Sequence, residues 1–142
     1  MSSDFKYSMG LNHAGAYQVS GVPFVTGNLT APASGSEPFK IEFPSVTRWF
    51  TITSEANQHI RFGFSANGVK NGSHNYFITH EDNHPMQNGP YEMKITELYI
   101  LSDNGNAHTG VYVMAGLTGL PVSRVNNISP SGSNWSGSLG VG

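Results

Sequence analysis

The chain has 142 residues, enough for one ordinary domain, and it contains no cysteine, which excludes disulfide frameworks, thiolate metal sites and cysteine nucleophiles. Seven Lys and Arg residues against nine Asp and Glu residues give a formal charge of −2, so no basic field is present to bind nucleic acid or an anionic membrane. Charged residues make up only 11% of the chain, less than half of the usual ~25%, so the surface has little charge to repel a neighbour.

Short runs of alternating apolar and polar residues predict β-strands along most of the chain. Turns are predicted where Gly, Pro, Asn and Asp cluster, at residues 21–23, 31–36, 67–68, 71–72, 88–89 and 103–106. Strands are predicted near residues 17–20, 39–43, 46–53, 60–64, 75–79, 91–101 and 111–117. Turn formers interrupt every candidate helix, so we predict no helix of substantial length.

The stretch that runs from Tyr91 to Leu101 fits two structures. Met93, Leu98 and Leu101 have the spacing of a helix face, whereas the alternation that starts at Tyr91 is typical of a strand. A change of register near Glu97 keeps the later apolar side chains on the core side of such a strand. We therefore predict one long strand with a bulge.

Seven or eight short strands with frequent turns predict an all-β fold. Their number and length favour an antiparallel β-sandwich that is jelly-roll-like and carries extended N- and C-terminal arms. We predict an N-terminal arm over residues 1–10, a sandwich domain over residues 11–125 and a Gly/Ser-rich C-terminal arm over residues 126–142.

The two ends of the chain supply the candidate contacts with a partner. Residues 126–142 carry no charge and few apolar anchors. The apolar anchors in this segment have a spacing that suits a strand added to a foreign sheet edge or a segment laid in a groove; the alternative is that they pack against their own domain. Two aromatic residues flank the predicted turn at 21–23 and are expected to be exposed or interfacial. The predicted partner contacts are Tyr17, Phe24, Trp135, Leu139 and Val141.

No catalytic, metal or cofactor site is predicted. His80 and His84 have the i, i+4 spacing of helical metal ligands, but Pro85 and the neighbouring Asn residues favour a loop, and no third ligand is fixed by the sequence. The serines lie in Gly-Ser runs and lack the strand-turn-helix context of a nucleophile elbow. No phosphate-binding glycine loop occurs, so we expect no enzymatic activity.

The aromatic residues in the predicted strands have two interpretations. Most alternate with polar residues and are expected in the core. A surface row could instead stack sugars, whereas stacking of single-stranded bases is excluded because Lys and Arg do not accompany the rings. The residues concerned are Trp49, Phe50, Phe62, Phe64, Tyr76 and Phe77.

Four stretches give the chain a resemblance to a known family. They are LNHAGAYQVSGVPF at 11–24, KIEFPSVTRW at 40–49, RFGFSANG at 61–68 and NWSGSLGVG at 134–142. In pattern and order they resemble small virion structural proteins of tailed bacteriophages, particularly phages of cyanobacteria and other marine bacteria. None of the four stretches contains a motif with a known chemical role.

The resemblance implies a β-rich particle component, namely a capsid decoration or cement protein without a cofactor. Its expected partner is the major capsid protein, and its expected oligomeric state is a homotrimer. The expected location is the capsid surface of the virion, after synthesis and assembly in the cytoplasm of the bacterial host, because the first residues lack the apolar run of a signal peptide and no stretch is long enough to span a membrane. A tail or head-fibre component and a glycan- or receptor-binding module are the alternatives.

Overall fold

A computed structural model describes residues 11, 21–55, 59–79 and 89–142. Within them, two antiparallel sheets form the all-β sandwich that the sequence predicts. The strands are β1 (Val22–Ala31), β2 (Phe39–Glu42), β3 (Thr47–Ser54), β4 (Ile60–Gly63), β5 (Phe77–Ile78), β6 (Glu97–Ser102) and β7 (His108–Leu117). Two one-turn helices, α1 (Ala66–Val69) and α2 (Ser123–Asn126), complete the regular structure of this part of the chain. The predicted N-terminal arm, 1–10, and the predicted strand at 17–20 lie outside the described residues.

The strands pair in a nested order. β1 pairs with β7, β2 with β6, and β4 with β5, each antiparallel. Tyr91 forms an antiparallel bridge with Phe50 and so extends the open edge of β3. Further pairing of β3 with β7 and of β4 with β6 joins these units into one sheet of order β1-β7-β3 and one of order β2-β6-β4-β5.

The core lies between the inner faces of the two sheets. Because successive side chains of a strand point to opposite faces, every second residue of β3, β6 and β7 enters it. The Phe50 ring meets the rings of Phe62 and Phe64 edge-on, with centroids 6.2 and 6.1 Å away. The fully buried side chains of this layer include Phe50, Ile52, Ile60, Leu98, Ile100, Val111 and Val113.

The predicted turn at 21–23 is wrong, because β1 already begins at Val22. Proline is tolerated at Pro23 because β1 is an edge strand of its described sheet, where the missing N–H is not required by a second neighbour. The register with β7 shifts between Thr26 and Leu29, and Asn28 has a φ of 53°. This bulge interrupts the alternation by which a strand is recognised.

The prediction of one continuous strand over 91–101 is wrong. Tyr91 bridges β3 in one sheet, whereas β6 begins only at Glu97 in the other sheet. The chain crosses between the two layers in between: Thr47 donates its N–H to the carbonyl oxygen of Ile95 at 3.0 Å, and Phe43 donates its N–H to that of Thr96 at 2.9 Å. The expected register change near Glu97 is thus a change of sheet.

The Asn-Gly pair at 67–68, predicted as a turn, lies within α1. Ser65 caps this helix, its hydroxyl accepting the N–H of Gly68 at 2.9 Å. The helix covers the outer side of the four-stranded sheet, where Val69 packs with Tyr99 and Leu101 of β6. One sheet is therefore covered on its outer side by the segment around α1.

Candidate functional site

The outer side of the three-stranded sheet is a flat apolar surface, which we call the outer face. It consists of nine outward-pointing residues in three rows across β1, β7 and β3. Val25 is 68% exposed and its register partner Met114 is 44% exposed, so large apolar side chains lie exposed next to each other. The rows are Pro23, Gly116 and Trp49; Val25, Met114 and Thr51; and Gly27, Tyr112 and Thr53.

Two aromatic rings lie directly over glycines of the outer face. A Cβ atom added to Gly116 would overlap the indole of Trp49, and one added to Gly27 would overlap the ring of Tyr112. Rings placed over strand glycines compensate for the missing side chain and lie flat against the sheet. The rings of Trp49 and Tyr112 thus occupy the space left by the two glycines of the outer face.

The charged residues of the described strands lie mainly on the other sheet, and Arg48 of β3 is the exception. None of the nine residues of the outer face is ionisable at neutral pH, whereas β2 and β6 carry a charged cluster on their outer side. There the Nζ atom of Lys40 lies 3.0 Å from Oε1 of Glu42 and 3.2 Å from Oε1 of Glu97. The nine residues of the outer face therefore bring no charge to a contact, and such uncharged apolar patches mark interaction surfaces.

The charged cluster is a structural network. The Tyr99 hydroxyl donates to Oε2 of Glu97 at 2.9 Å, and the Ser133 hydroxyl donates to the same carboxylate. Burial, reinforced by the hydrogen bond to Glu97, raises the pKa of Tyr99 to about 12. The hydrogen bond to Glu42 raises the pKa of Lys40 above its usual value, against the opposing effect of burial. Each residue of this cluster forms an ion pair or a hydrogen bond with another of its residues, so the cluster links β2, β6 and the C-terminal segment.

The C-terminal segment 126–142 folds onto the sandwich and does not extend from it as predicted. Asn134 is completely buried: its Oδ1 accepts the N–H of Thr96 at 2.9 Å, and its Nδ2 donates to the carbonyl oxygens of Phe64 at 2.9 Å and Glu97 at 3.3 Å. Because the buried amide of Asn134 is hydrogen-bonded through both its oxygen and its nitrogen, it fixes the segment beside the end of β4 and the start of β6. The predicted domain boundary at 125/126 falls inside α2.

Two of the predicted partner contacts in this segment contact their own domain instead. Trp135 packs against the main core and against the smaller cluster beside it, and its indole N–H donates to the carbonyl oxygen of Lys94. The carbonyl oxygen of Val141 accepts the hydroxyl of Ser65 at 3.0 Å. Leu139 is fully exposed and remains available to a partner.

The remaining predicted contacts lie at the start of the chain. Phe24 is half-buried, with its ring 5.4 Å from that of Phe43 in an edge-on contact, so it is mainly a core residue. Tyr17 lies outside the described residues. Sequence reasoning missed Val25, Tyr112 and Met114; the signal for the last two was a strand whose outward positions are also apolar.

Comparisons with known proteins identify no relative. No protein-family model matches the chain, and it matches no curated protein and no solved structure. The function is therefore argued from the geometry and from the sequence resemblance.

The described residues contain neither a cluster of metal ligands nor a helix that could span a membrane. Among the described residues, no three His, Asp or Glu side chains come together in an arrangement that could hold a metal ion. Neither of the two described helices has the length and apolarity needed to cross a membrane. The histidine pair at His80 and His84 lies outside the described residues.

Proposed function

We propose that the protein is a structural component of a bacteriophage particle, a capsid decoration or cement protein that binds the major capsid protein. The observation that carries the proposal is the exposed, uncharged outer face of the three-stranded sheet. Its occupant is an apolar, uncharged patch of the capsid shell. The sequence resemblance supplies the identity of that partner, and the geometry supplies the surface.

We further infer that the sandwich is a jelly roll. If the Tyr91 bridge is counted as a reduced sixth strand, the two sheets have the orders 1-8-3-6 and 2-7-4-5. This is a long hairpin of nested strand pairs rolled onto itself, the arrangement used by viral capsid and lectin domains. The fold is compatible with a particle protein, but the function rests on the outer face, because one fold hosts many functions.

The energetics of the outer face suit a repeated, reversible contact. A stable protein interface buries about 800 Å² on each partner, and apolar area contributes roughly 25 cal/mol per Å², most of which is offset by the cost of association. A shell displays many copies of each site, so modest affinity per copy still gives high occupancy wherever contacts are linked. Homotrimerisation, which the resemblance implies, adds this linkage.

Charge placed on the outer face tests the proposal. The variants Val25→Asp and Met114→Lys put a charge in the middle row, which must lose water on contact, so we expect occupancy on purified shells lacking the protein to fall at least about tenfold. Ile128→Asp is the matched control, since Ile128 is also an exposed apolar residue but lies outside the outer face. Co-sedimentation with shells measures occupancy, and thermal denaturation checks that all three variants remain folded.

Two outcomes would contradict the proposal. Wild-type occupancy of both outer-face variants would show that the shell is bound elsewhere. Conversion of a trimer into monomers by Met114→Lys, seen by analytical ultracentrifugation of the protein alone, would reassign the outer face to contacts between copies of the chain.

A further inference from the structure

A cleft lined by aromatic residues opens beside β5, at the free edge of the four-stranded sheet. Its volume is about 360 Å³, within the usual range of roughly 300–1,000 Å³ for small-molecule sites. Its walls come from β4 and β5 of the four-stranded sheet and from Tyr91, which bridges β3, and none of its lining residues belongs to the outer face. The cleft is lined chiefly by Phe62, His74, Asn75, Tyr76, Phe77 and Tyr91.

The rings of the cleft are held in place by the core behind them. Tyr91 lies 5.3 Å from the Phe50 ring and 5.5 Å from the Phe62 ring, between the two sheets. Phe77 touches the same Phe62 ring at 5.8 Å but is 53% exposed, so one side of it faces solvent. The Arg61 guanidinium lies 4.6 Å from the ring centroid of Tyr76. The cleft is thus preformed and not assembled on binding.

Polar groups stand beside these rings at the mouth of the cleft. His74 has a φ of 59°, which turns the chain after Ser73, and its ring centroid lies 6.1 Å from that of Tyr76. The next residue, Asn75, has its backbone fixed by donation of its N–H to the carbonyl oxygen of Gly68 at 3.1 Å. The site therefore combines flat apolar rings with imidazole, amide and phenol groups that donate and accept hydrogen bonds.

We propose that this cleft binds a neutral saccharide. The described residues that line it include no Asp, Glu, Lys or Arg, so none of these groups pairs there with a charged ligand. A sugar ring offers a C–H face that packs on Phe77 and Tyr91 and a rim of hydroxyls for His74 and Asn75. An entirely apolar ligand would leave those polar groups unsatisfied. The protein would then bind a shell on one side and a glycan on the other.

A nuclear magnetic resonance titration of the full chain tests the site. Maltose, lactose and chitobiose are the probes, and glucuronic acid is the charged comparator. We expect at least one neutral disaccharide to give saturable amide shifts confined to residues 74–77 and 91, with a dissociation constant of about 1 mM and no such shifts with glucuronic acid. Phe77→Ala should weaken binding about tenfold or more, because it removes the exposed stacking ring. Tyr91→Phe keeps the ring and should cause a smaller loss.

The outer-face variant Met114→Lys is the matched control and should bind the sugar like the wild type, whatever it does to shell binding. Absence of shifts with all three disaccharides up to about 50 mM would overturn the proposal. Shifts that lie elsewhere, or that Phe77→Ala leaves unchanged, would overturn it as well. Failure of either proposal is thus visible independently of the other.

Discussion

A single polar side chain decides how the end of the chain is organised. Asn134 lies in a run of Gly and Ser that by composition predicts a flexible tail, yet it is completely buried and connects Thr96, Phe64 and Glu97. Its φ of 48° belongs to the left-handed region, which Asn adopts more readily than other residues with a side chain. Composition cannot reveal this role, because it depends on backbone groups of two distant strands.

Replacement of Asn134 separates its two contributions. Asn134→Ala removes the side-chain hydrogen bonds, leaves buried backbone groups without partners and puts alanine in the left-handed region, which Asn adopts more readily, so we expect a loss of about 3 kcal/mol in the free energy of unfolding. Asn134→Gly removes the same bonds without that strain and should lose about 1 kcal/mol less. Urea unfolding measures both. Equal stability of the wild type and Asn134→Ala would show that the buried amide contributes nothing.

At the scale of the element, the strands that follow simple alternation were predictable and the irregular ones were not. β3 and β7 lie close to their predicted positions because their inner residues alternate regularly. The sequence does not predict β1, because Pro23 and the bulge at Gly27 and Asn28 interrupt its alternation. The strand forms because its pairing with β7 outweighs its weak local strand propensity. The residues from Tyr91 to β6 have the hydrophobic pattern of one strand, because a change of sheet does not alter the alternation of apolar residues.

The outer face and the aromatic cleft also differ in how far the sequence predicts them. The apolar outward residues of β7 could have been recognised as a second apolar side, whereas the contribution of Val25 depends on a strand that was missed. For the cleft, the sequence predicts only that a row of aromatic rings could lie on the surface. Its shape depends on contacts between Tyr91 and rings far away in sequence.

The charged cluster that links β2, β6 and the C-terminal segment should make the stability of the protein depend on pH in the alkaline range. Tyr99 has a pKa of about 12 in the folded chain, against about 10 when unfolded, so between these values the folded state holds more protons than the unfolded state. The contribution of Tyr99 is therefore present below pH 10 and lost as pH rises through 12. We expect unfolding free energy to fall over this window and Tyr99→Phe to reduce the slope. Identical slopes for the two proteins would contradict the assignment.

At the scale of the whole molecule, the two sheets have opposite outer sides. One carries the Lys40 and Glu97 cluster and is covered by the segment around α1, while the other is apolar, flat and exposed at Val25 and Met114. This asymmetry gives the sandwich one side that another surface can cover without desolvating charge. The aromatic cleft lies at the edge of the sandwich between Tyr91 and β5, and its lining shares no residue with the outer face.

The C-terminal segment belongs to this sandwich, and its removal tests the organisation of the entire chain. By composition, residues 126–142 are predicted to form an arm that is separate from the folded domain. In the structure, Trp135 packs on both the main core and the smaller cluster, and Asn134 bridges two strands. Truncation after Ser129 keeps α2 and should cost at least about 4 kcal/mol, comparable with the loss of a buried aromatic side chain.

Since domains of this kind are stable by only about 5–15 kcal/mol, the truncated chain should lose much of its stability and unfold at a clearly lower urea concentration. Leu139→Ala is the matched control: this side chain is fully exposed, so its removal should change the free energy of unfolding by less than about 0.5 kcal/mol. If the truncated protein is as stable as the full chain but does not bind shells, residues 126–142 are a separate arm, and the arm and not the outer face binds the shell. A truncated protein that unfolds early shows instead that the segment is part of the domain that carries the outer face.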